Sequence, residues 1–156
     1  MTVSSTLYIY RGLPSSGKST AARLKVPTGR DISTDDFFHV DHDRSKPYVF
    51  NLDRIFDGSA HGWAQDRVRS LLADGTGLPV AIANTNTCRW EMEFYFNICK
   101  ELGCEWEIID LFDGGCSDQQ LFDRNAHGVP LDKFAIMRER YEHDWKSGNP
   151  TPPWIR

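Results

Sequence analysis

Apolar residues recur along this chain in two ways. Short dense runs read as buried strands, and longer segments with apolar positions three and four apart read as helices against a core. Leu7–Tyr10 is a short β-rich run that ends directly at a glycine-rich stretch. From Lys18 to about Leu24 the sequence starts a helix, which Pro27 and Gly29 stop early. Arg30–Ser33 is a brief strand that delivers Thr34, Asp35 and Asp36 at its end, and His39–Pro47 is a polar surface loop. Ala60, Trp63, Ala64, Val68, Leu71 and Leu72 predict a helix from about Ser59 to Ala73, ended by Gly75 and Gly77. Leu78–Ala83 is a buried strand with Pro79 at its start, where a missing N–H costs least.

Arg89–Leu102 is again helical, with Trp90, Phe94, Tyr95, Ile98, Cys99 and Leu102 on one face and Gly103 just past its end. Glu105–Phe112 is the last strand. Ser117 and Gln120 fit a capping box that opens a short helix. After the Asn125–Pro130 loop a final helix runs from Asp132 to about Asp144, and an irregular tail follows from Trp145. Strands and helices alternate, which calls for a mostly parallel sheet of four to five strands with helices on both faces. In such sheets ligands bind beyond the carboxyl ends of the strands. The stretches Gly12–Ser19, Asp35-Asp36 and Asn84–Asn86 all follow predicted strands, so three polar clusters converge on one edge.

Composition narrows the setting. The 156 residues suit a single domain spanning 1–156. No apolar run reaches the roughly 18–20 residues that cross a bilayer, and MTVSSTLYIY lacks the charged and apolar regions of a secretory leader. A cytoplasmic protein without membrane partners is expected, in the host cytoplasm if the chain is phage-encoded. Cys88, Cys99, Cys104 and Cys116 lack the short spacings of zinc sites and read as reduced, mostly buried thiols. The net charge of −4 disfavours a protein that wraps nucleic acid through many phosphates, so any such substrate would be held locally and transiently.

Gly12-Leu13-Pro14-Ser15-Ser16-Gly17-Lys18-Ser19 matches G-x-x-x-x-G-K-[ST], the phosphate-binding loop of nucleoside-triphosphate-binding proteins. Its glycines let backbone N–H groups turn inward around phosphate oxygens, and the following helix N-terminus adds positive potential. The nucleotide contacts are expected from this loop, from Thr20 and from Arg124. Lys18 would reach the β- and γ-phosphates. Ser19 and Asp35 are the Mg²⁺ candidates.

A kinase or ATPase of this kind needs a group that prepares the nucleophile. Asp35 and Asp36 are placed for it, one facing the phosphates and the other supporting the loop. Asn84 and Thr85 are available to hold a substrate or a metal-associated water, while helix capping explains Thr87 and Asn86 without further function. The strand ends in Ala83-Asn84 where a motor-type ATPase would carry an aspartate. Arg124 lies beside a segment with Gly128 and Pro130 that suits a lid, which is expected over about 117–131. His61 faces either solvent or the cleft. Trp63, Trp90 and Tyr141 read as core rather than base-stacking groups, and Arg67, Arg69, Arg138 and Arg140 as a basic rim or a solvated face.

RGLPSSGKST, STDDFF, AHGWAQDRV, IANTNTCRWEM and RNAHGVPLDKFAIMRERYE, in this order from Leu7 to Tyr141, resemble the polynucleotide-kinase branch of P-loop kinases. The resemblance implies an α/β three-layer P-loop NTPase fold of nucleotide-kinase type, with a helical lid. It implies transfer of the γ-phosphoryl group of ATP to a hydroxyl, that of a 5′-OH DNA or RNA end, with Lys18, Asp35 as general base and Arg124 as the catalytic residues. The acceptor side would comprise Asp36, Phe38, His61, Asn84, Thr85, Asn86, Arg89 and His127. Three features depart from the pattern. Phe37-Phe38 replaces an arginine that engages the acceptor's phosphate, Asn84 replaces an aspartate, and the lid offers His127 instead of additional basic residues. A hydroxymethylpyrimidine in DNA (5-hydroxymethyluracil), a nucleoside or a small metabolite are alternative acceptors. A non-catalytic ATP-binding adaptor is the alternative of a different class.

Overall fold

Leu7 and Ile9 point to one side of the first strand and Tyr8 and Tyr10 to the other, and both sides are covered. A computed structural model describes residues 4–156, so the first three residues of the segment read as lacking a leader lie outside it. The first strand, β1 (Thr6–Gly12), lies between β3 (Val80–Ala83) and β4 (Glu105–Phe112), and β2 (Asp31–Ile32) pairs with β3. All pairings are parallel, in the order β2-β3-β1-β4. The near-continuous apolar sequence of β3, VAIA, is what a strand buried on both faces requires.

Helices α3 (Ser59–Leu72) and α4 (Arg89–Leu102) pack on one face, where Ala64, Val68, Met92, Tyr95 and Ile98 meet Leu7, Ile9, Val80 and Ile82. The opposite face carries α1 (Lys18–Lys25) through Ala22, with Val26 just beyond the helix. A third cluster joins Leu13 of the glycine-rich loop to Leu121 of α5 (Asp118–Asp123) and Phe134 of α6 (Leu131–Arg140). Helices α5 and α6 are therefore anchored directly to the loop that follows β1. The parallel sheet with helices on both faces is the one expected from the alternation of elements, and the whole is the three-layer α/β P-loop NTPase architecture that the resemblance implied. Among the described residues no helix is long and apolar enough to cross a membrane. All four cysteines are free, three of them buried.

Four local expectations give way to tertiary bonding. The strand expected over Arg30–Ser33 shrinks to two residues, because Ser33 caps the 3₁₀ turn Thr34–Phe38 in a capping box with Asp36. The His39–Pro47 loop contains a further 3₁₀ turn at Val40–His42, and a short helix α2 (Asp53–Phe56) follows it. The final helix stops at Arg140, not Asp144, because Glu142 N–H donates to Thr87 O and Glu142 O accepts from Arg11. Helix α4 is rotated from the expected face. It buries Tyr95, Ile98 and Cys99 as expected but adds Met92 and Phe96, leaving Trp90 half-buried and Phe94 exposed.

Candidate active site

The loop between β1 and α1 is shaped by two left-handed residues, Ser15 (φ 67°) and Gly17 (φ 101°). The N–H groups of Ser15, Gly17, Lys18, Ser19 and Thr20 donate to no acceptor among the described residues. Ser16 Oγ is buried without a partner, while Ser19 and Thr20 are exposed at the helix start. ATP and Mg²⁺ fit this donor set. Inward N–H groups suit phosphate oxygens, and the Ser19 hydroxyl suits a hard cation that takes its other ligands from phosphates and water. Among the described residues there is no cluster of three or more His, Cys, Asp or Glu side chains that would bind a metal by themselves.

Lys18 Nζ donates to Leu13 O at 2.8 Å and is buried. Desolvation lowers its pKa to about 8, opposed by the nearby Asp35 carboxylate. Across the cleft Asp35 is half-exposed, accepting from Tyr48 OH at 3.3 Å and lying 3.4 Å from His127 Nδ1. Burial pushes the Asp35 pKa up, but His127, Tyr48 and Lys18 together hold it below the ordinary carboxylate value. His61 Nδ1 stands 3.5 Å from Thr34 Oγ1, in the turn that carries Asp35. Desolvation by the cleft walls lowers the His61 pKa.

From the turn after β4, Gly114 approaches the loop so closely that a Cβ there would lie 2.8 Å from Ser16 O. Arg124 caps α5, is exposed, and donates from Nη1 to Cys116 Sγ at 3.1 Å, two residues from that contact. The donor-rich loop, the buried Lys18 ammonium and the Asp35 carboxylate thus meet at the carboxyl edge of the sheet, and Arg124 is bonded to Cys116, close in sequence to the Gly114 contact. That inventory is the one a phosphoryl-transfer site needs.

An AAA domain family model (AAA_33) matches residues 7–143. The chain belongs to this AAA domain family. Human NEDD4-binding protein 2 is 32% identical over an alignment that covers 87% of the chain and 8% of that much longer protein. A gluconokinase from Sinorhizobium meliloti 1021 shares the fold, with a TM-score of 0.52 and 15% identity over 94% of this chain and 80% of its own. The AAA domain described here thus shares its P-loop NTPase fold with that gluconokinase.

Several acceptor-side expectations are corrected by the geometry of this AAA domain. Asp36 is buried and carries structure: Arg44 donates to both its carboxylate oxygens at 2.7 Å, and Ser33 N–H donates to Oδ2. Phe38 is buried against Tyr48 and Phe50. Asn86 is buried and spends its amide on Tyr10 O, and Thr87 donates to Glu91 instead of capping α4, whose N-cap is Cys88. The Arg89 guanidinium is tied to Glu93 and to Lys146 O.

Two other acceptor candidates bond the turn that carries Asp35 and the end of β1. Asn84 Oδ1 accepts from Thr34 N–H at 2.9 Å, and Thr85, half-buried, accepts from Gly12 N–H through its carbonyl. The expected basic rim is largely paired: Arg138 binds Asp113 and Asp118, and Arg69 binds Glu101.

Sequence reading missed Tyr48, Arg44 and Arg11. Arg11 is fully buried and donates to Asn86 O, Thr87 O and Glu142 O as well as to Asp110. The signal for Arg44 was present as an arginine among the acidic residues of 31–43, whose opposite charges had to pair. Arg11 left no local signal, since its partners are 75 or more positions away.

Proposed function

We propose that this AAA domain is an ATP- and Mg²⁺-dependent kinase that transfers the γ-phosphoryl group to a hydroxyl of a nucleic acid, a strand's 5′-OH. The observation that carries this reading is the pairing of a buried Lys18 with a half-exposed Asp35 across one cleft, each in the other's field. When bound, ATP with Mg²⁺ supplies the phosphoryl group. Asp35 takes the proton of the attacking hydroxyl as its oxygen bonds to phosphorus and the bond to the ADP oxygen breaks. Lys18 and Arg124 offset the charge on the phosphoryl oxygens. Asn84, Thr85 and His61 line the acceptor side. The order of motifs from Leu7 to Tyr141 supports the nucleic-acid acceptor.

Label transfer from γ-labelled ATP tests the acceptor. The expected result is labelling of 5′-OH oligonucleotides, with little transfer to end-blocked DNA containing 5-hydroxymethyluracil, to free nucleosides or to sugar acids. Preferential labelling of the end-blocked DNA, a nucleoside or a sugar acid would replace the strand with that acceptor. No transfer with ATP binding intact would leave an adaptor.

A further inference from the structure

Four of the protein's five tryptophans gather on one flank, away from the phosphate loop. A groove of about 310 Å³ follows the stripe Arg89, Glu93, Phe96 and Lys100 of α4. Its other wall is Trp106 of β4 with Trp145 and Lys146 of the tail. Trp106 stacks on Phe96 with ring centroids 5.3 Å apart, and Trp145 tilts over the same ring at 5.7 Å. A second groove of about 420 Å³ opens at the first turn of α4, where Trp90, Arg140, Glu142 and Arg156 line it. Trp154, 74% exposed, stands edge-on to Trp90 at 5.1 Å. The tail passes from the first groove to the second between Lys146 and Asn149.

The charge of the two groove linings runs against that of the chain, whose net charge is −4. Arg89, Lys100 and Lys146 face one carboxylate in the first groove, and Arg140 and Arg156 face one in the second. Both carboxylates are engaged: Glu93 accepts from Arg89 Nε, and Glu142 accepts from Arg89 N–H. Lys100 and Lys146 are exposed and enter no ion pair among the described residues. The second groove is also joined to the cleft. Arg140 Nε donates to Thr87 Oγ1, which donates to Glu91 Oε1, and Glu91 and Asp35 both act on His61 electrostatically.

We infer that this flank is the track along which a single-stranded nucleic acid runs away from the accepting hydroxyl. Indole faces accept any base by stacking, and lysine and arginine heads track the backbone phosphates, so the track reads no sequence. It presupposes the nucleic-acid acceptor proposed above. An acidic peptide would satisfy the cations but make no use of the exposed Trp154 indole.

Anisotropy of a labelled 5′-OH strand of about 15 nucleotides tests the track, a length matched to single-strand sites of this kind. The full chain should bind it with an affinity that falls steeply with salt. Lys100→Glu combined with Lys146→Glu should weaken binding at least about tenfold, and Trp154→Ala several-fold. ATP affinity, unchanged in both, reports intact folding. No binding by the unaltered chain, equal binding by the variants, or equal displacement by polyglutamate would overturn the track. Phosphoryl transfer is followed separately on a 5′-OH dinucleotide. Strand binding without transfer to any acceptor would uphold the track and fail the kinase reading. Equal use of dinucleotide and long strand, unaffected by charge reversal, would overturn the track and leave the kinase.

Discussion

His127 Nδ1 lies 3.4 Å from Asp35 Oδ2, so the loop between α5 and α6 touches the candidate base. Tyr48 completes the contact, donating to the other Asp35 oxygen and stacking on the imidazole with centroids 4.5 Å apart. The hydrogen bond to Asp35 raises the His127 pKa, with burial opposing. A hydroxyl that approaches Asp35 must therefore share or displace this latch.

The latch should depend on pH in a defined window. His127 has a folded pKa above its ordinary value of about 6.5, so its contribution is complete below about pH 6.5 and is lost as pH rises through the raised value. Asp35 is shifted down, so its contribution is present above about pH 3.9 and is lost as pH falls through the lowered value. The contact is strongest between about pH 4 and 6.5, and with both groups partly exposed it contributes under about 1 kcal/mol. Hydrogen exchange over residues 117–131, corrected for intrinsic rates, should show more protection at about pH 6 than at about pH 8.5. His127→Ala should remove that difference. Protection independent of pH in the unaltered chain would contradict the latch.

Lys18, with a pKa of about 8, carries a second pH dependence. Phosphate oxygens beside Nζ favour the charged form, so ATP binding should take up a proton increasingly as pH rises above that value. Calorimetry at about pH 8.5 in buffers of different ionisation enthalpy should detect the uptake, and ATP affinity should fall toward tenfold per pH unit well above it. Lys18→Met should abolish the uptake. Buffer-independent binding heats at that pH would show that Lys18 keeps its proton throughout.

Gly114 tests the contact between the turn after β4 and the phosphate loop. Its backbone is left-handed (φ 62°) and a Cβ would meet Ser16 O at 2.8 Å, whereas Gly115 (φ 80°) has open space. Gly114→Ala should push on the phosphate loop and cost about 1.4 kcal/mol or more of ATP binding, a tenfold loss. Gly115→Ala should cost about 1 kcal/mol of stability and leave ATP affinity unchanged. Equal ATP affinities for the two variants would show that the loop absorbs the contact.

Arg11 should matter more to stability than any exposed ion pair. Its guanidinium joins three carbonyls and Asp110 and lies over the Tyr141 ring at 4.2 Å. Arg11→Met leaves those acceptors unpaired and should cost about 3–5 kcal/mol in urea unfolding. A loss under about 1 kcal/mol would mean that water replaces the guanidinium.

What was legible in the sequence was what local rules control. The phosphate loop, the dense run of β3, the α3 stripe and the Ser117 cap depend on neighbouring residues, and the structure forms each at its expected place, except that β3 starts at Val80, leaving Leu78 and Pro79 outside the strand. What escaped depends on distant partners. Arg11 redirects the chain after Arg140 through acceptors at residues 86, 87, 110 and 142, which no window of sequence contains. Asp36 and Arg44 pair inside one loop, but their geometry requires the 3₁₀ turn that also claims Ser33. In α4 the stripes through Trp90-Phe94 and through Met92-Tyr95-Phe96-Cys99 both have helical spacing, and contact with the sheet selects the second. Asp35 was found by its position after a strand, but the tyrosine and histidine that hold it were not linked to it by spacing.

The kinase reading depends most directly on Asp35. Single-turnover transfer from γ-labelled ATP to a 5′-OH strand should fall at least about a thousandfold in Asp35→Asn, within the range expected when a base that also bears on the metal is lost. ATP affinity should stay within about twofold, because the loop N–H groups and Lys18 remain in place. Transfer persisting within tenfold of the unaltered chain would contradict the assignment of Asp35 as the base.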